Sequence, residues 1–545
     1  MKKFVIVFAL FITTIHTTAM KAQVTQEWVA TYNGVGTGSN APKKCLIDKF
    51  GNIIIAGRSE NSFFNDDFIT LKYNSSGNLL WERRYNGVGN GNDAISGVVL
   101  DDSNNIYVTG YSQEGAALGG YNWVTIKYFS NGDTAWKKSF NWIANGLDEP
   151  FAMTIDKLRN IYVAGYGRTA QPIDDDFITV KYNSNGELLW TKSYDSQISG
   201  PDRALSIALD DSANVYSTGY SASSKGNDLI TIKYNTIGNE KWVRKNITFN
   251  GDYLRPAHVV TDKNNDIIVN GYYYIGDNYA FNTIKYSSSG DLIWKRIYKG
   301  DGNLNFCFAL CTDDSANVYA AGRSTNTGTG EDFVTIKYYA NGDTAWIRNY
   351  DGGYDNFDEI RSIAIDSFHN VYVTGLTGSS NGSPNYTTIK YDENGLIKWL
   401  KEFRGSYLDD ISTTLCLDLN KNVIVSGYTQ TSLNNYSIGT IKYSQLTGVT
   451  ETFYLNDPNF KLYQNYPNPF NPKTAINYYL SSESYVKIKI YNSLGKEIKT
   501  LTDNKENDGN HSLNFEGNDL PSGIYLYSLI VNGNLIDTKR MLLIK

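Results

Sequence analysis

The most regular chemistry in the chain is a set of polar side chains at one fixed offset. Asn40, Asp93, Asp148, Asp202, Asn305, Asp358 and Asp410 each stand eight residues before an aspartate, and Leu254 holds the remaining place of the series. Brought to one mouth of a ring, five carboxylates and two amides would suit a cation that takes several oxygen ligands, Ca²⁺ above all. The same side chains would also cap turns and tie neighbouring repeats together through backbone N–H groups. Recurrence in nearly every repeat favours the structural role, because a specific site breaks such symmetry. Asp93, Asp148, Asp202, Asp358 and Asp410 stand as the metal-ligand candidates, and no other cofactor is expected.

Other reactive residue types are sparse. Beyond residue 22 the histidines are His258, His369 and His511, each in a different repeat or domain. The zinc pattern H-E-x-x-H and Cys/His metal spacings are absent. No catalytic residue is assigned. The acidic run Asp174-Asp175-Asp176 could seat the paired carboxylates of glycoside hydrolysis, but such runs are ordinary in loops. Of the four cysteines, Cys307 and Cys311 lie four apart on one expected strand, roughly 13 Å at about 3.3 Å per residue, beyond disulfide reach. Cys45 and Cys416 sit in separate repeats, in slots that other repeats fill with Val, Ile, Ala or Leu. All four are expected to be unpaired, buried and small.

The elements that position these groups follow from a repeated phrase, Thr-Leu/Ile/Val-Lys-Tyr. Its tyrosine falls at Tyr73, Tyr128, Tyr182, Tyr234, Tyr286, Tyr338, Tyr391 and Tyr443, a period of 52 to 55 residues. Self-similarity of that length marks a repeat architecture. One repeat, 93–140, reads as four short strands: Ala94 to Leu100, Ile106 to Gly110, Trp123 to Tyr128 and Thr134 to Phe140. Turn signals separate them, as in an antiparallel sheet. A glycine ends the second strand eight times, and a tryptophan centres the fourth eight times when Trp28, ahead of the first repeat, is counted. The lysine of the phrase, from Lys72 to Lys442, is expected to lay its stem on aromatics rather than form a basic stripe.

The ends of the array are complementary. The usual glycine-tryptophan strand is missing after Tyr443, and an extra strand, Gln26 to Tyr32 with Trp28, precedes the first repeat. Pairing the two closes a ring and leaves only short edges. The expected fold is all-β, an eight-bladed β-propeller closed by the N-terminal strand. The phrases Asp101…Asn105-Ile106-Tyr107-Val108-Thr109-Gly110 and Asp176-Phe177-Ile178-Thr179-Val180-Lys181-Tyr182 resemble the SBBP-like β-propeller repeat family. That resemblance implies the fold and an exported bacterial setting, and no reaction.

Repeats stop after Tyr443. A proline-rich entry, then alternating strands from Ala475 onward, read as a small Ig-like β-sandwich. The run Tyr466-Pro467-Asn468-Pro469-Phe470-Asn471-Pro472, then Gly495, Pro521, Gly523 and Tyr525, and the terminal segment from Lys539 to Lys545 resemble the C-terminal sorting domain of the type IX (Por) secretion system. That resemblance implies the secretion machinery as a partner and a secreted or cell-surface protein that passes through the periplasm. Met1-Lys2-Lys3 and the apolar run Phe4 to Ile15 read as a signal peptide, too short to span a membrane. The division expected is signal peptide 1–22, propeller 23–446, linker 447–460 and sorting domain 461–545.

A net charge of −6 gives no electrostatic reason to expect nucleic acid or anionic lipid. Within each sheet, alternating strand direction puts the short, uniform turns at one end and the variable connections at the other. These include 111–121, 166–175, 271–279 and 350–357, rich in Gly, Asn, Asp, Ser and Tyr. Variable loops on a rigid scaffold usually carry function. The reading is a binding or adhesion module for a glycan or surface protein. The alternatives are a carbohydrate-active hydrolase or lyase using loop carboxylates, and a purely structural surface protein.

Overall fold

The computed structural model describes residues 24–445 and 460–545, apart from 36–37, 63–64, 114–119, 144–145, 170–173, 225, 247–257, 276–277, 354–356, 381, 493–496 and 533. The expected signal peptide, Leu254, Gly495 and nearly all of the expected linker therefore lie outside the described residues. Every regular element among the described residues is a β-strand. The chain divides into two compact units, up to Gln445 and from Leu446 onward.

Among the described residues the first unit holds eight four-stranded antiparallel sheets. In the second, Ala94–Leu100, Ile106–Ser112, Asn122–Tyr128 and Thr134–Phe140 pair in sequence order. The two middle strands are buried almost throughout, whereas the fourth is half-exposed. This is why the middle strands read as continuous apolar runs instead of alternating: both of their faces meet a neighbouring sheet. One buried cluster joins Ile54, Ala56 and Phe68 of the first sheet to Ile95, Val108 and Val124 of the second. Where Gly110 faces the first strand, the pairing register shifts, and a Cβ there would lie 2.0 Å from the Ala94 carbonyl oxygen. Only glycine permits that close approach.

The last of these sheets is built from both ends of the first unit. Asp410–Leu417, Val423–Ser432 and Asn435–Gln445 are completed by Val24–Tyr32, with Val29 opposite Ile441. This sheet also packs on the first one, through a cluster that joins Ile424 and Ile438 to Ile53, Ile55 and Leu71.

One fastening recurs between consecutive sheets. The indole N–H of Trp136 and the ammonium of Lys127 both donate to the Ser184 carbonyl, in the last turn of the next sheet, at 3.1 and 3.3 Å. Trp81 and Lys72 do the same to Ser130. Trp28 and Lys442 of the last sheet donate to Ser75 of the first, at 3.1 and 3.3 Å. The turn glycine sits directly under the ring: at Gly77, φ is +82°, and a Cβ would lie 2.6 Å from Trp28. The repeated lysine also lies over the second-strand tyrosine, Lys127 being 5.0 Å from the Tyr107 ring. It is a strut between sheets rather than a basic stripe.

The cysteine expectation is corrected here. Cys45 and Cys416 form a disulfide, with Cα atoms 5.9 Å apart across 371 residues of sequence. They lie on the first strands of the first and last sheets, which are neighbours only because those sheets pack together. The backbone N–H of Cys45 also donates to Thr414 Oγ1 at 3.1 Å. Cys307 and Cys311 are free.

In the second unit, a three-stranded sheet (Phe460–Leu462, Lys473–Leu480, Gly509–Glu516) and a four-stranded sheet (Glu497–Glu506, Ser484–Asn492, Gly523–Val531, Asn534–Leu543) enclose a core of Ile476, Tyr478, Ile488, Tyr527 and Met541. The strand Glu497–Glu506 lies at the end of its sheet. It is a mostly exposed edge, so its residues carry little apolar alternation.

Candidate functional site

Each candidate aspartate is a buried knot. Asp93 accepts from the backbone N–H of Gly87 at 2.6 Å and of Gln113 at 3.0 Å. The corresponding donors are Trp142 and Arg168 for Asp148, Ser196 and Ala222 for Asp202, and Gly352 and Gly378 for Asp358. Asp410 accepts from Gly405 N–H and the Thr429 hydroxyl. Their own N–H groups reach the preceding sheet, as from Asp148 to the Tyr121 carbonyl at 2.9 Å. Each carboxylate thus ties the connection entering its sheet to that sheet's second strand. The five are spread one to a sheet, and the amides of Asn40 and Asn305 make similar contacts.

Burial raises the pKa of these carboxyl groups, and Asp148 is pushed up to about 6, with its two backbone donors opposing the shift. Because the folded value lies above the unfolded one, its stabilising contribution is full below about pH 4 and is lost as pH rises through about 6. A carboxyl ¹³C titration of aspartate-labelled protein should find this group with a midpoint near pH 6. A midpoint near 4 would contradict the burial account.

The remaining sequence candidates are engaged or far apart. Asp175 is held between Arg168, at 2.7 Å, and Arg203; Asp176 accepts from the Trp142 indole at 2.9 Å. His369 pairs with Asp314 at 2.6 Å, and His511 stacks on Tyr478. Burial, then the charges of Lys43 and Lys44, hold His258 down at about 4, so its imidazole is neutral at neutral pH. Burial pushes the Cys307 thiol up to about 12. The Cys307 thiol is therefore not poised as a nucleophile at neutral pH.

The two ends of the sheets differ in chemistry. At the end of the uniform turns, Asp101 accepts from Ser103 N–H, Asn105 N–H, the Asn105 amide and the Tyr107 hydroxyl at 2.7–3.0 Å, and the pattern repeats from sheet to sheet. A cleft of about 780 Å³ opens there between Asp156, Asp210, Asp262 and Lys181. The Asp156 and Asp210 carboxylates lining it are already spent on the same turn bonds.

The opposite end, where first strands begin and second strands finish, carries aromatic rings and arginines. Tyr111 meets Tyr121 at 5.0 Å, Phe151 meets Tyr166 at 5.9 Å, and Tyr428 meets Tyr436 at 5.6 Å. Arg203 lies 4.1 Å from the Tyr166 ring. Arg323 is flanked by Phe306 at 4.7 Å and Phe357 at 4.2 Å, and pairs with Glu331 at 2.9 Å. Most of these rings are half-exposed, and Phe357 is 38% exposed. Sequence reading missed this set because its members come from different repeats. The tyrosine-rich variable loops were the available signal.

In the second unit the sorting residues gather from distant stretches. The side-chain amide of Asn468 donates to the Arg540 carbonyl at 3.2 Å, and its Oδ1 accepts from Leu542 N–H at 2.8 Å. Phe470 is buried against Phe515, and its backbone bonds Leu542 and Ile544. Pro467 and Pro469 follow cis peptide bonds. The Tyr525 hydroxyl donates to the Pro521 carbonyl at 2.8 Å, just before Gly523. Lys539 pairs with Asp537, and Lys545 donates to the Asn518 carbonyl. The proline-rich run is thus strapped to the terminal strand.

Together these features define an all-β exported protein with sheet repeats and a sorting tail. The family model described as a secretion system C-terminal sorting domain matches residues 464–545, and the one described as a beta-propeller repeat matches 351–383. The tail is that of type IX secretion, so the chain is directed to the cell surface or the medium, with that machinery as its partner. Among the described residues no helix is long and apolar enough to cross a membrane. No curated protein matches the chain. Similar solved structures include a fungal alcohol oxidase of the AA5 family in complex with copper (11% identity, 96% of this chain, 99% of that one, TM-score 0.39). A polysaccharide lyase (9%, 67% and 93%, 0.41) and a PL25 ulvan lyase bound to a GlcA-Rha3S saccharide (11%, 77% and 96%, 0.40) are similar too. At these identities and TM-scores none of their activities is carried over.

Proposed function

We propose that the eight sheets are the blades of one closed eight-bladed propeller, and that this propeller is a binding or adhesion module displayed or released by type IX export. The division proposed is signal peptide 1–22, propeller 23–446, linker 447–460 and an Ig-like sorting domain, 461–545. Support for closure comes from the last-to-first contacts: the Val24–Tyr32 strand, the Trp28 and Lys442 bonds to Ser75, and the Cys45–Cys416 bridge. A glycan or a surface protein is the class of partner proposed.

The observation that carries the binding reading is the half-exposed aromatic and arginine lining at the variable end. Flat rings stack on sugar faces or protein side chains, and guanidinium groups donate to hydroxyls and carboxylates. A glycan-array screen of the chain from residue 23 onward, with hits checked for product release, tests it. Saturable binding without turnover supports the module, whereas released product moves the assignment to a hydrolase or lyase. Phe357→Ala should weaken a hit at least tenfold and leave the melting temperature unchanged. Unchanged affinity would remove this end as the binding face.

A further inference from the structure

The sheet formed by Asn305–Thr312, Val318–Asn326, Gly330–Tyr338 and Thr344–Tyr350 departs from its neighbours in one respect. Three carboxylates gather at its variable end: Asp332 on its third strand, Asp351 just past its fourth, and Asp358 at the start of the next sheet. Each brings an oxygen within 4.8 Å of the other two. We infer that Asp332, Asp351 and Asp358 form a calcium site.

The strongest support is Asp332 itself. It is 3% exposed, and its Oδ1 is buried without a hydrogen-bond partner. Its Oδ2 accepts from Asn326 at 2.8 Å and Thr329 at 2.7 Å. A buried carboxylate with an idle oxygen is costly unless a cation faces it. Among the described residues Asp332 makes no ion pair, unlike Asp67 at the equivalent place in the first sheet, which pairs with Arg84 at 2.9 Å. The residue matching Arg84 here is Asn349, which carries no charge. The cation that the first sheet supplies from its own chain is missing, and Asp351 adds a carboxylate where the first sheet has Asn86.

The same triplet of residue types recurs once, as Asp176, Asp195 and Asp202. There the Trp142 indole occupies Asp176, and Gln197 occupies both oxygens of Asp195. Asp351, by contrast, is exposed, and among the described residues its carboxylate accepts one backbone bond, from Gly353 N–H at 2.7 Å. Asp358 spends one lone pair of each oxygen on backbone N–H groups and keeps the others. Ca²⁺ takes about six to eight oxygen ligands in a flexible shell that includes water, so three carboxylates with one exposed member suit it. Solvent can complete the shell from the side of the exposed Asp351.

The test is calorimetric titration of CaCl₂ into the chain from residue 23 onward, after removal of metal by a chelator, alongside thermal melts. The expected result is a one-to-one site, a melting temperature raised by Ca²⁺, and affinity at least tenfold lower for Asp351→Asn. Asp332→Asn should lose the site as well while keeping the size of the side chain. Asp195→Asn, in the matching triplet, should bind as the parent does. No Ca²⁺ binding by the parent, or equal binding by the parent and Asp351→Asn, would overturn the assignment.

Discussion

Trp28→Ala should lower the stability of the chain by about 3 kcal/mol, the low end of the range for large aromatic truncation because the ring is only half-buried. The loss has three parts. Packing over the Gly77 turn disappears, the Ser75 carbonyl loses its indole donor, and the Ile424–Ile55 cluster loses a flank. In an open array this tryptophan would sit on a terminal strand with no sheet beyond it, and its removal would cost little more than that of the exposed Phe50. Denaturant melts of Trp28→Ala and Phe50→Ala separate the two cases. Equal midpoints would count against closure.

The second large effect is expected at the bridge. Replacing Cys45 and Cys416 by serine should cost about 2–4 kcal/mol, toward the upper part of that range because the bond closes a very long loop of chain. Reductant should lower the melting temperature of the parent and leave the double variant unmoved. If reductant shifts both equally, the bridge is not what the parent loses. An exported chain meets the oxidising conditions in which such a bond persists.

Much of the fold was legible because its determinants are local and repeated. The Thr-x-Lys-Tyr phrase, the second-strand glycine and the fourth-strand tryptophan each mark the same element in every repeat, and the stray Trp28 strand announced its partner by the gap after Tyr443. What sequence could not give was contact between repeats. Cys45 and Cys416 looked unrelated because only the packing of the first sheet on the last makes them neighbours. Lys72 and Trp81 share an acceptor, Ser130, that lies in the following sheet.

The candidate sites were hidden in the same way. Asp358 was one of five equivalent carboxylates in sequence, and it stands out only once Asp332 and Asp351, drawn from the preceding repeat, are placed beside it. Arg323 gains meaning from Phe306 and Phe357, which flank it from two other strands and connections.

The central claim is that the array closes on itself, and peptide mapping under non-reducing conditions tests it most directly. The chain from residue 23 onward is alkylated, digested and analysed with and without mild oxidant. Closure predicts one cross-linked pair, the peptide bearing Cys45 joined to the peptide bearing Cys416, with Cys307 and Cys311 never joined to either. Cys45 and Cys416 recovered as separate alkylated peptides even after oxidant would place them apart and contradict the closed ring.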